Sequence, residues 1–329
     1  MSATGVGSLP GTDMHEAMRV VIGELPDLVH LPELPARGGM AGMVGRGAAV
    51  LAGLAADLQP AGWRLQDSSG IDHRRAVSLL AQDLDVLEEH TQGYSGRLKV
   101  QVAGPWTLAA TMERPRGDKV LADHGARREL AQSLTEGVIG HVDDVRRRVP
   151  GAAVVVQVDE PALPAVLAAG IPTASGFSRH RSVATQEARD VLARLAAAIT
   201  GAGAVPVVHV CAADVPILLL QQAGFRAVSF DLTQVAPGDA WATAHDEGFD
   251  LWPGVVPAVD PQERPAAASV ATAVERFFGA LGVDEERLAE RLVVTPACGL
   301  AGASPGWARD ALRLVREVAA ALSGQAGPQ

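Results

Sequence analysis

With 329 residues, 48 % of them hydrophobic, the chain is long enough to bury a large core, either as two ordinary domains or as one large α/β barrel. A formal net charge of −10, with no compensating basic stripe, counts against nucleic acid and against anionic membrane surfaces as partners. Met1–Pro10 lacks the charged start and apolar core of a secretion signal, and no window offers the roughly 18 uninterrupted apolar residues of a bilayer span, so a soluble cytoplasmic protein is expected.

In chain order, Thr4-Gly5-Val6-Gly7-Ser8-Leu9-Pro10 reads as a short strand running into a Gly-Ser turn, with Asp13 capping a helix that extends to about Ile22. Leu28-Val29-His30-Leu31-Pro32-Glu33 is a second strand, ending in a carboxylate. An insertion of about 38–94 follows. Within it a helix is expected from Val44 to Leu58, a turn around Trp63, and a helix from Asp72 to His90 with Val77, Leu80, Leu84 and Leu87 on one face. So long a connection is expected to reach over the site or cover one end of the fold. The third strand, Leu98–Ala103, is stopped by Gly104-Pro105-Trp106. A helix over about 127–149 leads to Ala153–Val158, which closes on Asp159-Glu160-Pro161. Two adjacent carboxylates at the end of an apolar strand point to function more strongly than a charge run on a solvated helix. Lys99 and Lys119 are the only lysines among 28 basic residues and read as a composition bias.

After a helix over about 186–200 comes Val205-Pro206-Val207-Val208-His209-Val210-Cys211, a β-branched strand whose last alternate positions are an imidazole and a thiol. Taken alone, His209 and Cys211 are more simply a satisfied core histidine and a small buried hydrophobe. The other features of the chain shift that balance. Ala227-Val228-Ser229-Phe230-Asp231 ends in a carboxylate, and Leu292–Thr295 runs into Pro296-Ala297-Cys298-Gly299-Leu300, which holds the second of two cysteines. Between these lie a strand over 250–256 and a helix over about 267–281. A helix over about 307–322 and a loose tail over 323–329 complete the chain. Imidazole, thiolate and carboxylate together suit zinc, and three or four protein ligands with one open position mark a catalytic site. A disulfide between the cysteines is the competing reading, disfavoured in a reducing compartment.

Eight near-continuous apolar strands alternating with helices indicate one (β/α)8 barrel over 1–329, because a parallel sheet buried on both faces needs such strands. Catalytic groups in that architecture sit at the C-terminal strand ends. Ser8, Glu33, Asp159, Glu160, His209, Cys211, Asp231 and Cys298 all occupy such ends.

Four segments, Val6-Gly7-Ser8-Leu9-Pro10, Gln157-Val158-Asp159-Glu160-Pro161-Ala162-Leu163, His209-Val210-Cys211 and Pro296-Ala297-Cys298-Gly299-Leu300, resemble in order and spacing the C-terminal catalytic barrel of cobalamin-independent methionine synthase, in a short, core-type form. The resemblance implies zinc held by His209, Cys211, Asp231 and Cys298. It also implies homocysteine bound through Asp159, Glu33 and the Ser8 turn, with Glu160 a further substrate-binding candidate. The sequence departs from the family in four respects. The carboxylate ligand is aspartate rather than glutamate, and no second, N-terminal barrel is expected in this short form. Ala110 and Thr111 stand where an aromatic residue helps hold folate, and Pro257-Ala258-Val259-Asp260-Pro261 lacks the histidine that serves as acid.

A methyl group leaving an amine nitrogen requires that nitrogen to be protonated, whereas departure from a corrinoid does not. The missing acid therefore favours a methylated corrinoid, free or protein-bound, as donor. Asp260 as a substitute acid keeps methyltetrahydrofolate open. Another small thiol such as coenzyme M could replace homocysteine. The alternatives are a zinc- or thiol-binding barrel without turnover and a metal-free enzyme of the uroporphyrinogen decarboxylase type, which shares the barrel.

Overall fold

The computed structural model describes residues 1–283, 288 and 291–324, so residues 325–329 of the expected tail lie outside it. Eight parallel strands form one sheet: β1 (Ser2–Ala3), β2 (Leu28–His30), β5 (Arg97–Ala103), β6 (Ala153–Asp159), β7 (Val205–Val210), β8 (Ala227–Asp231), β9 (Asp250–Val256) and β10 (Val293–Pro296). Their order is β1-β10-β9-β8-β7-β6-β5-β2. A parallel bridge between Ser8 and Glu33 joins the two ends of that order, so the sheet closes on itself as the barrel the sequence predicts.

Alternation along the strands sorts the side chains. Leu98, Val100, Val102, Val154, Val156, Val158, Val208, Val210, Val228 and Phe230 join the main core with the surrounding helices. Leu28, Val155, Val207, Ala227, Trp252 and Val293 form a separate apolar cluster. Two residues further along their strands stand Gln157, His209 and Ser229, and two further still Asp159, Cys211 and Asp231. The barrel interior thus runs from apolar to polar toward the C-terminal strand ends.

Helices α1 (Met14–Glu24), α3 (Ile71–His90), α4 (Pro105–Thr111), α5 (His124–Arg148), α7 (Thr185–Gly201), α10 (Ala267–Ala280) and α11 (Pro305–Leu322) are longest where apolar residues recur at helical spacing. Helices α6 (Leu163–Leu167), α8 (Ile217–Gln222) and α9 (Asp239–Asp246) follow β6, β7 and β8. Side-chain caps set several starts. Asp13 accepts from Glu16 N, Asp123 from Ala126 N and Ser304 from Trp307 N. No helix among the described residues is long and apolar enough to cross a membrane.

The insertion differs from expectation. Helix α2 spans Met43–Val50 and stops well short of Leu58, and an antiparallel hairpin, β3 (Ala55–Gln59) and β4 (Gly62–Gln66), takes up the rest. Gly53, at φ +72°, breaks the alanine-rich run, and a short apolar run fits the strand period as well as the helix period. The buried face of α3 carries His73, Ala76, Leu80, Asp83, Leu84 and Leu87, while Val77 lies exposed.

Candidate active site

His209, Cys211 and Cys298 converge at the C-terminal end of the barrel, with their ligand atoms all within 4.8 Å of one another. The strand spacing explains the first two, since positions 209 and 211 face the same side of β7, and the turn after β10 brings in the third. Both cysteines are free thiols with sulfur atoms 3.1 Å apart. His209 Nδ1 lies 3.0 Å from Ser229 Oγ on the neighbouring strand, while Nε2 is buried with no hydrogen-bond partner. A buried ring nitrogen left unpaired beside two thiols is the arrangement a zinc ion would complete, and the donors are those zinc prefers. Their shared hydrogen bond pushes the Cys211 thiol up and holds Cys298 well below the usual thiol range, with the neighbouring His209 imidazole acting in the same direction on Cys298. Either sulfur must give up its proton to serve as a metal ligand.

Asp231, expected as a fourth ligand, stands apart from this group. Its Oδ1 accepts from Thr233 N at 2.9 Å and Thr233 Oγ1 at 2.7 Å, closing the turn after β8. A short carboxylate with a threonine two residues on satisfies itself locally rather than reaching inward. Glu160 also departs from expectation. It is fully buried and accepts from Trp106 N, Thr107 N and Thr107 Oγ1, so it caps the start of α4 and does not line the cavity. Asp260 accepts from the backbone and hydroxyl of Ser304, tying the loop after β9 to the start of α11. These hydrogen bonds hold its carboxyl below the usual range, the opposite of what a proton donor needs.

A cavity of about 310 Å³ opens onto the two sulfurs and His209, lined on its other sides by Gly7, Ser8, Glu33, Asp159, Met43 and Pro161. Burial pushes the carboxyls of both Glu33 and Asp159 up; nearby Arg46 opposes this at Glu33, and His209 opposes it at Asp159. Glu33 is held from behind, because Arg46 Nε lies 3.4 Å from its carboxylate and Arg46 also pairs with the buried Asp83 at 2.7 Å. Arg37 completes that group on Asp83. The connection between β2 and β5 thus supplies Met43, Arg46 and Asp83 to the site, a bracing role that its length alone did not reveal. Ser229 was equally hidden, reading as an ordinary alternate strand residue. A larger cleft of about 450 Å³ between α1 and α11 offers no thiol or imidazole.

Residues 89–321 match the family model described as cobalamin-independent synthase, catalytic domain. The chain belongs to that family. As a member of the cobalamin-independent synthases it is a methyltransferase enzyme. Its fold is similar to that of a B12-independent methionine synthase from Shewanella sp. W3-18-1, in complex with selenomethionine, at 15 % identity and a TM-score of 0.64, covering 98 % of this chain and 97 % of that one. A D-psicose 3-epimerase aligns over 74 % of this chain and 84 % of its own at 10 % identity, with a TM-score of only 0.42. No curated protein matches the sequence. The family's independence of cobalamin overturns the corrinoid donor expected from the missing acid.

Proposed function

We propose that this synthase methylates the sulfur of homocysteine, giving methionine, with zinc held by His209, Cys211 and Cys298 and with methyltetrahydrofolate as donor. The observation that carries the reading is the unpaired His209 Nε2 beside the two free thiols, facing a cavity that ends in carboxylates. Zinc bound there would supply Lewis acidity that favours the thiolate form of an incoming thiol, whose free pKa of about 8.5 leaves it mostly protonated at neutral pH.

The chain's own groups do the rest. Asp159 and Glu33 bind the amino group of the substrate, and the Ser8 turn receives its carboxylate. Ser229 fixes the His209 ring through Nδ1. Met43, Pro35 and Pro161 give the cavity an apolar wall that keeps water from the nucleophile. In the transfer a sulfur–carbon bond forms as the carbon–nitrogen bond of the donor breaks, and the electron pair and a proton end on the leaving amine.

Zinc-loaded protein incubated with homocysteine and methyltetrahydrofolate is expected to form methionine, followed by mass spectrometry. Homocysteine binding without methionine from that donor would instead mark a thiol-binding barrel. Full activity in metal-stripped protein would end the zinc reading.

A further inference from the structure

Beneath the cavity the barrel interior contains a lysine with no exposed surface. Lys99, on β5, donates from Nζ to Val6 O at 2.8 Å and to Gln157 Oε1 at 2.7 Å. Gln157 in turn donates from Nε2 to the same Val6 carbonyl at 2.8 Å and to Asp159 Oδ1 at 2.7 Å. Val6 is flanked by two glycines that let neighbouring side chains approach closely. A Cβ on Gly5 would come within 2.3 Å of the His30 ring, and one on Gly7 within 2.7 Å of Gln101 Nε2.

The charged lysine sets the direction of this chain of hydrogen bonds. In its ammonium form Lys99 has three donors and no acceptor, which turns the amide oxygen of Gln157 toward it. Both amide hydrogens are then left for Val6 O and Asp159. Without the lysine the amide is free to turn over and present its oxygen to the Asp159 carboxylate, which would repel it. No other hydrogen bond within the protein reaches the Asp159 carboxylate among the described residues, so this contact alone sets how it meets the cavity. Burial lowers the lysine's pKa while Asp159 and Glu33 oppose the shift, which identifies those two carboxylates as its counter-charges.

We propose that Lys99, acting through Gln157, is a positioning residue for recognition of the substrate's amino group: it locks the Gln157 amide so that Asp159 is presented to the cavity in one orientation. The inference rests on the proposed role of Asp159 in binding that amino group. It also accounts for a lysine at this position in a chain that otherwise relies on arginine. A guanidinium is larger and planar, whereas an ammonium fits as a point charge between one carbonyl and one amide.

The test compares homocysteine with 4-mercaptobutanoate, which lacks only the amino group, on zinc-loaded wild type and Lys99→Met. The wild type is expected to bind homocysteine more tightly. Lys99→Met should weaken homocysteine binding by about tenfold, leave 4-mercaptobutanoate binding unchanged and retain its zinc. Gln157→Leu removes the relay while leaving the lysine in place, and should give the same selective loss if Lys99→Met does not fold. Equal weakening of both thiols, or unchanged discrimination in a folded variant, would overturn the inference while leaving the proposed function intact. A wild type that binds the two thiols equally would overturn the amino-group role of Asp159 and this inference with it.

Discussion

Ser229 Oγ sits 3.0 Å from His209 Nδ1, directly across the β7–β8 ladder, where residues 209 and 229 are register partners. The hydroxyl occupies one ring nitrogen and leaves the other, Nε2, for the two sulfurs. Ser229→Ala is therefore expected to weaken zinc binding by roughly 10- to 100-fold without altering the fold. Competition with a chromogenic chelator measures this, and an unchanged affinity would show that the hydroxyl does not orient the ring.

The separation of Cys211 and Cys298 sulfurs, 3.1 Å, predicts a redox consequence of metal removal. Stripped of zinc and exposed to a mild oxidant, the protein should lose two titratable thiols through formation of a Cys211–Cys298 disulfide, and zinc-loaded protein should keep both. Thiol counting and peptide mapping under non-reducing conditions read the result.

Glu160 bears on stability rather than on substrate. Glu160→Ala leaves Trp106 N, Thr107 N and Thr107 Oγ1 buried without their acceptor and removes the cap of α4. The expected loss is about 2–4 kcal/mol in denaturant unfolding, with zinc stoichiometry unchanged in the folded fraction. Loss of zinc at full stability would return Glu160 to the site.

His141, buried on α5, gives a pH dependence with a definite sign. Burial lowers its pKa from 6.5 to about 4, with Arg46 adding to the shift. Between these values the unfolded chain takes up the proton and the folded chain does not. Stability is therefore fully present above about pH 6.5 and falls as the pH drops toward 4, by up to about 3 kcal/mol from this group. His141→Gln should flatten the urea-denaturation profile over that window relative to wild type.

The barrel and the convergence of His209, Cys211 and Cys298 could be read from the sequence because strand-end chemistry is local. His209 and Cys211 share a face by alternation, and Cys298 announces itself as the only other thiol. What escaped prediction depends on neighbours that spacing does not reveal. Whether Asp231 reaches inward or closes its own turn was decided by Thr233, and the Asp159–Glu160 pair divides between cavity and helix cap because Trp106 and Thr107 present donors to only one of them. Lys99 read as a composition bias and Gln157 only as the first residue of a shared segment, and their partnership arises only when those strands lie side by side in the closed barrel. The hairpin at 55–66 was hidden by an alanine-rich run compatible with either period.

In the proposed reaction two cysteines and one histidine hold zinc where a substrate sulfur can join them. Zinc K-edge X-ray absorption on the purified protein tests it directly. Two sulfurs and one imidazole nitrogen from the protein are expected, with a third sulfur once homocysteine is added. A zinc environment without sulfur, or one that homocysteine leaves unchanged, would contradict it.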